Sequence, residues 1–322
     1  MKFPWKQKSR IRAAKWWRSP LLLVGAWLCF IIIIDWEIWV HFLAFAALLV
    51  LLWWFFCEPH TLSIQKRYFD LPCKAKVALI SDLHLWIYKK QAFLEKVIKK
   101  INKEDVDYLF VAWDLTYYPN RHKLDELFAP LSKSRVPVYV VLWNHDVEKP
   151  GHPIRNELVS SLRKANAIFL NNTIVELNWF LLVGLWEHRS HEDNVAILKN
   201  IHSKLPVVVL THNPATIKKY THLHQVDLTL CGHTHGWQIR LPFLEKWIWV
   251  FSSFVKHNSR WHLQHQEHKY FITSWVGEVW LPARFFSPPT IDILSFWEQK
   301  LSQKKRITQN IKKWQKRIQK TS

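Results

Sequence analysis

The chain has 322 residues, 49% of them hydrophobic and 22% charged, and a formal net charge of +20, enough length for one large domain with a substantial core plus appendages. Residues 1–20 carry seven Lys or Arg and no acid, and residues 298–322 carry nine and one acid, so 15 of the 20 charges sit in two tails. That placement argues against a domain gripping nucleic acid along its length and for tails that touch an anionic surface. The four cysteines, Cys29, Cys57, Cys73 and Cys231, follow neither disulfide nor zinc-ribbon spacing and imply no oxidising compartment. Tryptophan and glycine are out of proportion, 21 against 6, where ordinary usage would give about 23 glycines.

Residues 1–20 form a basic arm with Trp5, Trp16 and Trp17 interleaved. Residues 21–34 are all apolar or Gly, Asp35 and Glu37 interrupt, and a second apolar run covers 42–57. A spanning helix needs about 20 residues, with a lower limit near 17, so each run reaches that length only by borrowing its flanks. The expected arrangement is a transmembrane hairpin over 21–57, two short helices turning at Asp35-Trp36-Glu37. A single long segment would bury both acids at a cost, and a buried soluble helix pair is the bland alternative. Basic residues flank both outer sides, through Arg18 and again at Lys66-Arg67, which places both ends and the domain that follows in the cytoplasm, at the cell membrane. A cleaved signal peptide fits less well, because the apolar material is too long and no small-residue cleavage site follows it. Residues 58–73 read as a linker and first strand.

From Lys76 onward short apolar runs alternate with amphipathic segments. Residues 77–80, 108–111, 136–142, 180–183, 207–210 and 227–230 read as buried strands. Phe93, Leu94, Val97, Ile98 and Ile101 keep helical spacing, as do Leu158, Leu162 and Ala165. Such alternation predicts an α/β layered domain over 74–297, and ligands in such domains gather beyond the carboxyl ends of strands. There the sequence reads Ser81-Asp82-Leu83-His84, Trp113-Asp114, Trp143-Asn144-His145-Asp146, Thr211-His212-Asn213-Pro214 and Cys231-Gly232-His233-Thr234-His235-Gly236. One His-x-His pair is weak evidence of a metal site; five strand ends delivering Asp, His and Asn toward one rim are strong evidence.

These motifs, in this order, resemble the calcineurin-like metallophosphoesterase superfamily over roughly residues 74–295, and within it the membrane-associated bacterial branch with phosphodiesterases and a UDP-diacylglucosamine pyrophosphatase. The resemblance implies a four-layer α/β/β/α sandwich. It implies one metal held by Asp82, His84 and His235, a second by Asn144, His212 and His233, and Asp114 bridging the two. His145 would protonate the leaving oxygen or stabilise its charge, with Asp146 orienting that imidazole. Mixed oxygen and imidazole ligands suit Mn²⁺, Fe²⁺/Fe³⁺ or Zn²⁺, and two such ions about 3.5–4 Å apart clamp a phosphoryl group for in-line attack. The expected activity is hydrolysis of a phosphodiester or pyrophosphate bond, with a lipid-linked phosphorylated substrate at an anionic membrane surface. An inactive membrane scaffold and a phosphodiesterase acting on nucleotides or nucleic acid are the competing readings; no specific nucleic-acid partner is expected.

The family's glycines ahead of Asp114 and Asn144 are here Trp113 and Trp143. The same exchange falls at Trp86, Trp237, Trp275 and Trp280, all positions where that branch has glycine. Tryptophan would fill space needed by metals and phosphate, whereas glycine permits positive φ and close backbone approach. The reading is that these codons are UGA, translated as glycine in the host and as tryptophan elsewhere; genuine tryptophans would make a degenerate pseudoenzyme. Trp36 as glycine would also help the hairpin turn.

Arg240 and Arg284 are candidate phosphate or headgroup contacts, or equally structural ion-pair partners. His257 and the stretch from Trp261 to His268 read as a polar loop shaping substrate access rather than a further metal site, and His188 and His191 as surface residues. In the tail over 298–322, Ile307, Ile311, Trp314 and Ile318 keep three- and four-residue spacing, suggesting a basic amphipathic helix on anionic lipid, with a disordered solubilising tail or a nucleic-acid-binding arm as the alternatives.

Overall fold

The computed structural model describes residues 18–33, 38–112, 114–142, 153–186, 194–220, 223–232, 238, 261–265, 268–274, 276–278 and 281–297. Both apolar runs are helical. Helix α1 (Arg18–Ile33) packs against α2 (Ile38–Leu52), and a π turn (Trp53–Cys57) and a 3-10 turn (Glu58–His60) prolong α2. The resulting helix, Ile38–His60, has 23 residues and is long and apolar enough to cross a membrane by length and composition, whereas α1 has 16 residues. Large apolar side chains cover their outer faces, Trp27, Phe30, Trp39, Phe42 and Leu43 among them.

The segment after these helices is no loose linker. Strand β1 (Ser63–Phe69) begins three residues after the last turn, and the backbone between is held by lysines. Lys89 Nζ donates to the Pro59 carbonyl, Lys96 Nζ to His60 at 2.7 Å, and Lys100 Nζ to Leu62.

Two six-stranded mixed sheets follow. The first contains β1, β2 (Ala75–Ser81), β3 (Tyr108–Ala112), β4 (Val138–Val141), β5 (Ala167–Phe169) and β12 (Thr290–Phe296), in the order β1-β12-β2-β3-β4-β5. Strands β2 to β5 are parallel neighbours, while β12 runs antiparallel to β2 and parallel to β1. The second contains β6 (Thr173–Glu176), β7 (Leu181–Gly184), β8 (Val207–Leu210), β9 (Leu228–Cys231), β10 (Trp261–His265) and β11 (His268–Ile272), in the order β10-β11-β9-β8-β7-β6. The stretch expected to be a polar loop is thus largely the antiparallel pair β10 and β11.

Alternation along the strands explains the layering. Val77, Leu79, Tyr108 and Phe110 face Val208, Leu210, Leu228 and Leu230 between the sheets. Their neighbours Ala78, Ile80, Leu109 and Val111 face α3 (Gln91–Ile101), α4 (Leu124–Phe128) and α5 (Arg155–Lys164), as a side-chain period of two requires. Phe93, Leu94, Val97, Ile98 and Ile101 are all buried on one face of α3, at the spacing anticipated. On the far side of the second sheet, Val207 and Val209 pack under two 3-10 segments, Val195–Asn200 and Pro214–Lys219. Asn213 caps the latter, its side chain accepting from the Ala215 N–H.

Burial raises the Cys231 thiol pKa far above its ordinary value and pushes Cys73 up to about 12, with Asp227 adding to the second. A thiolate is the reactive form, so an alkylating reagent should label Cys231 only after denaturant is added. Prompt labelling in the folded chain would contradict the placement of β9.

Candidate metal centre

The centre is built where the parallel pairing of β2 and β3 continues past the strands. His84 N–H donates to the Asp114 carbonyl at 2.8 Å and Leu85 N–H to Leu115 at 2.9 Å, so the two following loops leave the sheet side by side. Asp82, His84 and Asp114 all take positive φ, at 51°, 41° and 46°. Such conformations cost about 1–3 kcal/mol each and cluster at functional sites. Here they turn all three side chains into one buried space, where ligand atoms lie within 4.8 Å of one another. His84 Nε2 is 3.9 Å from Asp82 Oδ1 and 3.7 Å from Asp114 Oδ2, and the Tyr117 ring stands edge-on to the imidazole at 5.9 Å.

The second sheet completes the approach. Thr211 N–H donates to the Leu230 carbonyl at 3.0 Å and Gly232 N–H to the His212 carbonyl at 3.2 Å, bringing the ends of β8 and β9 together with His212 buried. A β-carbon on Gly232 would stand 2.9 Å from Asp82 Oδ2 and 3.1 Å from Ser81 Oγ. The two sheets therefore deliver their strand ends to the same place, and glycine is what lets them meet. Two buried carboxylates beside an imidazole form a donor set suited to a divalent cation, since burying paired like charges without one is costly.

A third segment underlies this floor. Val276 N–H donates to the Ser81 carbonyl at 3.1 Å and Gly277 N–H to Asp82 at 2.8 Å; a β-carbon on Gly277 would come within 2.0 Å of the Leu83 carbonyl oxygen. Arg284 holds the same segment: its Nε donates to Glu278 at 2.6 Å, Nη1 to the Ser287 carbonyl at 2.7 Å and Nη2 to the Gly277 carbonyl at 2.5 Å. Arg284 is 1% exposed. The phosphate-contact reading of Arg284 therefore gives way to its alternative, a structural ion-pair partner, because its donors point into the protein.

Lys89 shares Glu278 at 3.2 Å and lies 3.7 Å over the Phe93 ring. Burial brings its pKa down to about 8, with Glu278 pulling the other way and Arg284 adding to the fall. An unfolded lysine titrates near 10.4. Between those values the unfolded chain binds more protons, so this group makes stability rise with pH across that window. Thermal melts of wild type and Lys89→Met should differ there, the variant losing the rise; parallel curves would refute the assignment.

Of the residues singled out in the sequence, Asp82, His84, Asp114 and His212 are described and buried. Asn144, His145, Asp146, His233, His235, Arg240, His188, His191 and His257 lie outside the described residues, as do the two basic tails beyond Arg18 and Trp297, and Trp113, Trp143, Trp237, Trp275 and Trp280. Trp86 is described, at φ 113°, a region that residues with a β-carbon rarely enter. Sequence reasoning missed Gly277, although a glycine kept where so few exist was a signal. It also missed Glu58, which reads as an ordinary linker acid.

A buried Asp/His/Asp group at the carboxyl ends of parallel strands, facing a second sheet, is a candidate site for a divalent metal ion. The chain belongs to the calcineurin-like phosphoesterase family, whose model matches residues 75–237. It is 30% identical over 251 residues to a metallophosphoesterase of Aquifex aeolicus, covering 74% of this chain and 90% of that one. It is 28% identical over 230 residues to a metallophosphoesterase of Helicobacter pylori, covering 68% of this chain and only 59% of that protein's length. The UDP-2,3-diacylglucosamine pyrophosphatase LpxG of Chlamydia trachomatis is 29% identical over 259 residues, covering 62% of this chain and 76% of that one.

Proposed function

We propose that the chain is a dimetal phosphodiesterase or pyrophosphatase acting at a membrane surface. The observation that carries this is the convergence of Asp82, His84 and Asp114 from one sheet with His212 and Gly232 from the other. Divalent ions there would supply Lewis acidity toward phosphoryl oxygens and acidify water. Asp82, His84 and His235 would hold one ion and Asn144, His212 and His233 the second, with Asp114 shared by both. His145, steadied by Asp146, gives a proton to the leaving oxygen. The 3-10 segments packed on the second sheet support the reading of an α/β/β/α arrangement. Mn²⁺, Fe²⁺/Fe³⁺ or Zn²⁺ fits the donor set. Hydrolysis of bis-p-nitrophenyl phosphate with added Mn²⁺ tests the chemistry, and no turnover from protein carrying glycine at the six tryptophan positions would overturn it.

A lipid-linked substrate is favoured by three features: likeness to a diacylglucosamine pyrophosphatase, a helix of spanning length in Ile38–His60, and charge concentrated in the two tails. The hairpin, a cytoplasmic catalytic domain and tail contact with anionic lipid complete the reading. The tails are tested by binding of the isolated 298–322 peptide to vesicles with and without anionic lipid; equal binding would remove the electrostatic role.

The conformation of Trp86 favours UGA recoding. An indole at φ 113° is strained where glycine is not, and the abundance of tryptophan against glycine fits the same cause.

A further inference from the structure

The loop 283–289 is fastened to the end of the long apolar helix rather than to the rest of the domain alone. Arg284 N–H donates to the Trp54 carbonyl at 3.1 Å. The buried Glu58 carboxylate accepts from Phe286 N–H at 3.1 Å and Ser287 N–H at 2.5 Å. Those bonds hold Phe286 at φ 52°, a conformation unfavourable for a bulky side chain, and the result is an aromatic ring presented outward. Phe286 is 60% exposed and Phe56, on the neighbouring helix end, 66% exposed. The Phe285 ring joins the loop to the helix end, its centroid 4.6 Å from that of Phe286 and 5.3 Å from that of Trp54. Aromatic rings gathered at the end of a helix of spanning length are the pattern of a membrane–water interface.

We propose that Phe56 and the Phe286 loop form a ledge that rests in the interfacial layer of a lipid bilayer, so that the catalytic domain touches the membrane directly and is not merely tethered to it. The inference rests on the reading of Ile38–His60 as a membrane helix. It carries a consequence for the metal centre, because the ledge and the centre share one framework. Glu58 holds Ser287, Arg284 links Ser287 to Gly277, and Gly277 donates to the Asp82 carbonyl. The centre is therefore held at a fixed height above the lipid, suited to a phosphoester lying in the headgroup layer rather than one diffusing in from bulk water.

The test is nitroxide labelling of the full chain, with Cys29, Cys57 and Cys73 replaced by serine, in vesicles of phosphatidylethanolamine and phosphatidylglycerol. Labels are placed singly through Phe286→Cys, Phe56→Cys, Leu43→Cys and Ile168→Cys. Ile168 is a water reference, on β5 at the edge of the first sheet opposite β1, five strand spacings or about 24 Å away. The expected result is that labels at 286 and 56 gain collisions with oxygen and lose collisions with a water-soluble nickel chelate, relative to 168. A label at 286 or at 56 as accessible to nickel as that at 168 overturns the ledge. If the label at 43 is in lipid in that case, the anchor stands and the ledge alone fails; if it too is in water, the membrane reading fails with it.

Discussion

Replacing Asp114 by asparagine is expected to abolish metal-dependent phosphoester hydrolysis, by about 10³-fold or more. Metal ions contribute several kcal/mol of transition-state stabilisation, and each 1.36 kcal/mol is tenfold in rate. Asp114 shares the pocket with Asp82 and His84, ligand atoms within 4.8 Å, and its side chain is almost fully buried. Without metal, two buried carboxylates at that separation repel. Asp114→Asn should therefore melt no lower than wild type in chelator, yet lose the gain in melting temperature that added Mn²⁺ gives the wild type. Calorimetric titration with Mn²⁺ and turnover of bis-p-nitrophenyl phosphate check both halves. Retention of more than about a tenth of the activity, a loss under 1.4 kcal/mol, would remove Asp114 from the centre.

Glycine at 86, 113, 143, 237, 275 and 280 should raise that turnover by at least about 10²-fold over the all-tryptophan protein, since an ångström-scale misplacement of reacting groups costs about that much. Trp86 is two residues from His84, and its N–H donates to Lys89 at 2.6 Å, so the strain at φ 113° is imposed on the loop that aims the ligand. Trp86→Gly alone should raise the melting temperature, because the turn is already in a conformation suited to glycine. Peptide mass spectrometry of protein isolated from its host would show glycine at these positions. UGG codons there would defeat the idea outright, and the tryptophans would then mark a chain that keeps the fold and has lost the reaction.

Much of this was legible in the sequence because parallel strands buried on both faces read as continuous apolar runs. The run 207–210 is β8 residue for residue, the run 108–111 misses the end of β3 by one residue, and the run 227–230 is offset from β9 by one residue. The candidate group Asp82, His84 and Asp114 was legible for a related reason: a polar Asp or His within a few residues after such a run has few reasons to be there other than chemistry. What stayed hidden depends on distant pairing. Nothing local says that Glu58 reaches Ser287, or that Arg284 turns inward to Glu278, since both are charged residues in segments that look exposed. The hairpin of β10 and β11 was equally obscure, because His262, Gln264 and His268 break the apolar alternation that marks strands.

Strand β12 lies between β1 and β2, although only residues 70–74 separate those two along the chain. The gap must stay open throughout synthesis of residues 70–289, so the first sheet cannot close until nearly the whole domain has left the ribosome. The apolar helices precede β1 along the chain. Formation of those helices and completion of the sheet are thus widely separated in synthesis, and β1 waits between them as an unpaired edge. Its run Gln65-Lys66-Arg67, with Gln65 and Lys66 exposed, is the kind of charged edge that resists pairing with the wrong partner. Non-local closure of this sort folds slowly, and the charged edge protects the waiting strand until its own late-arriving neighbour is made.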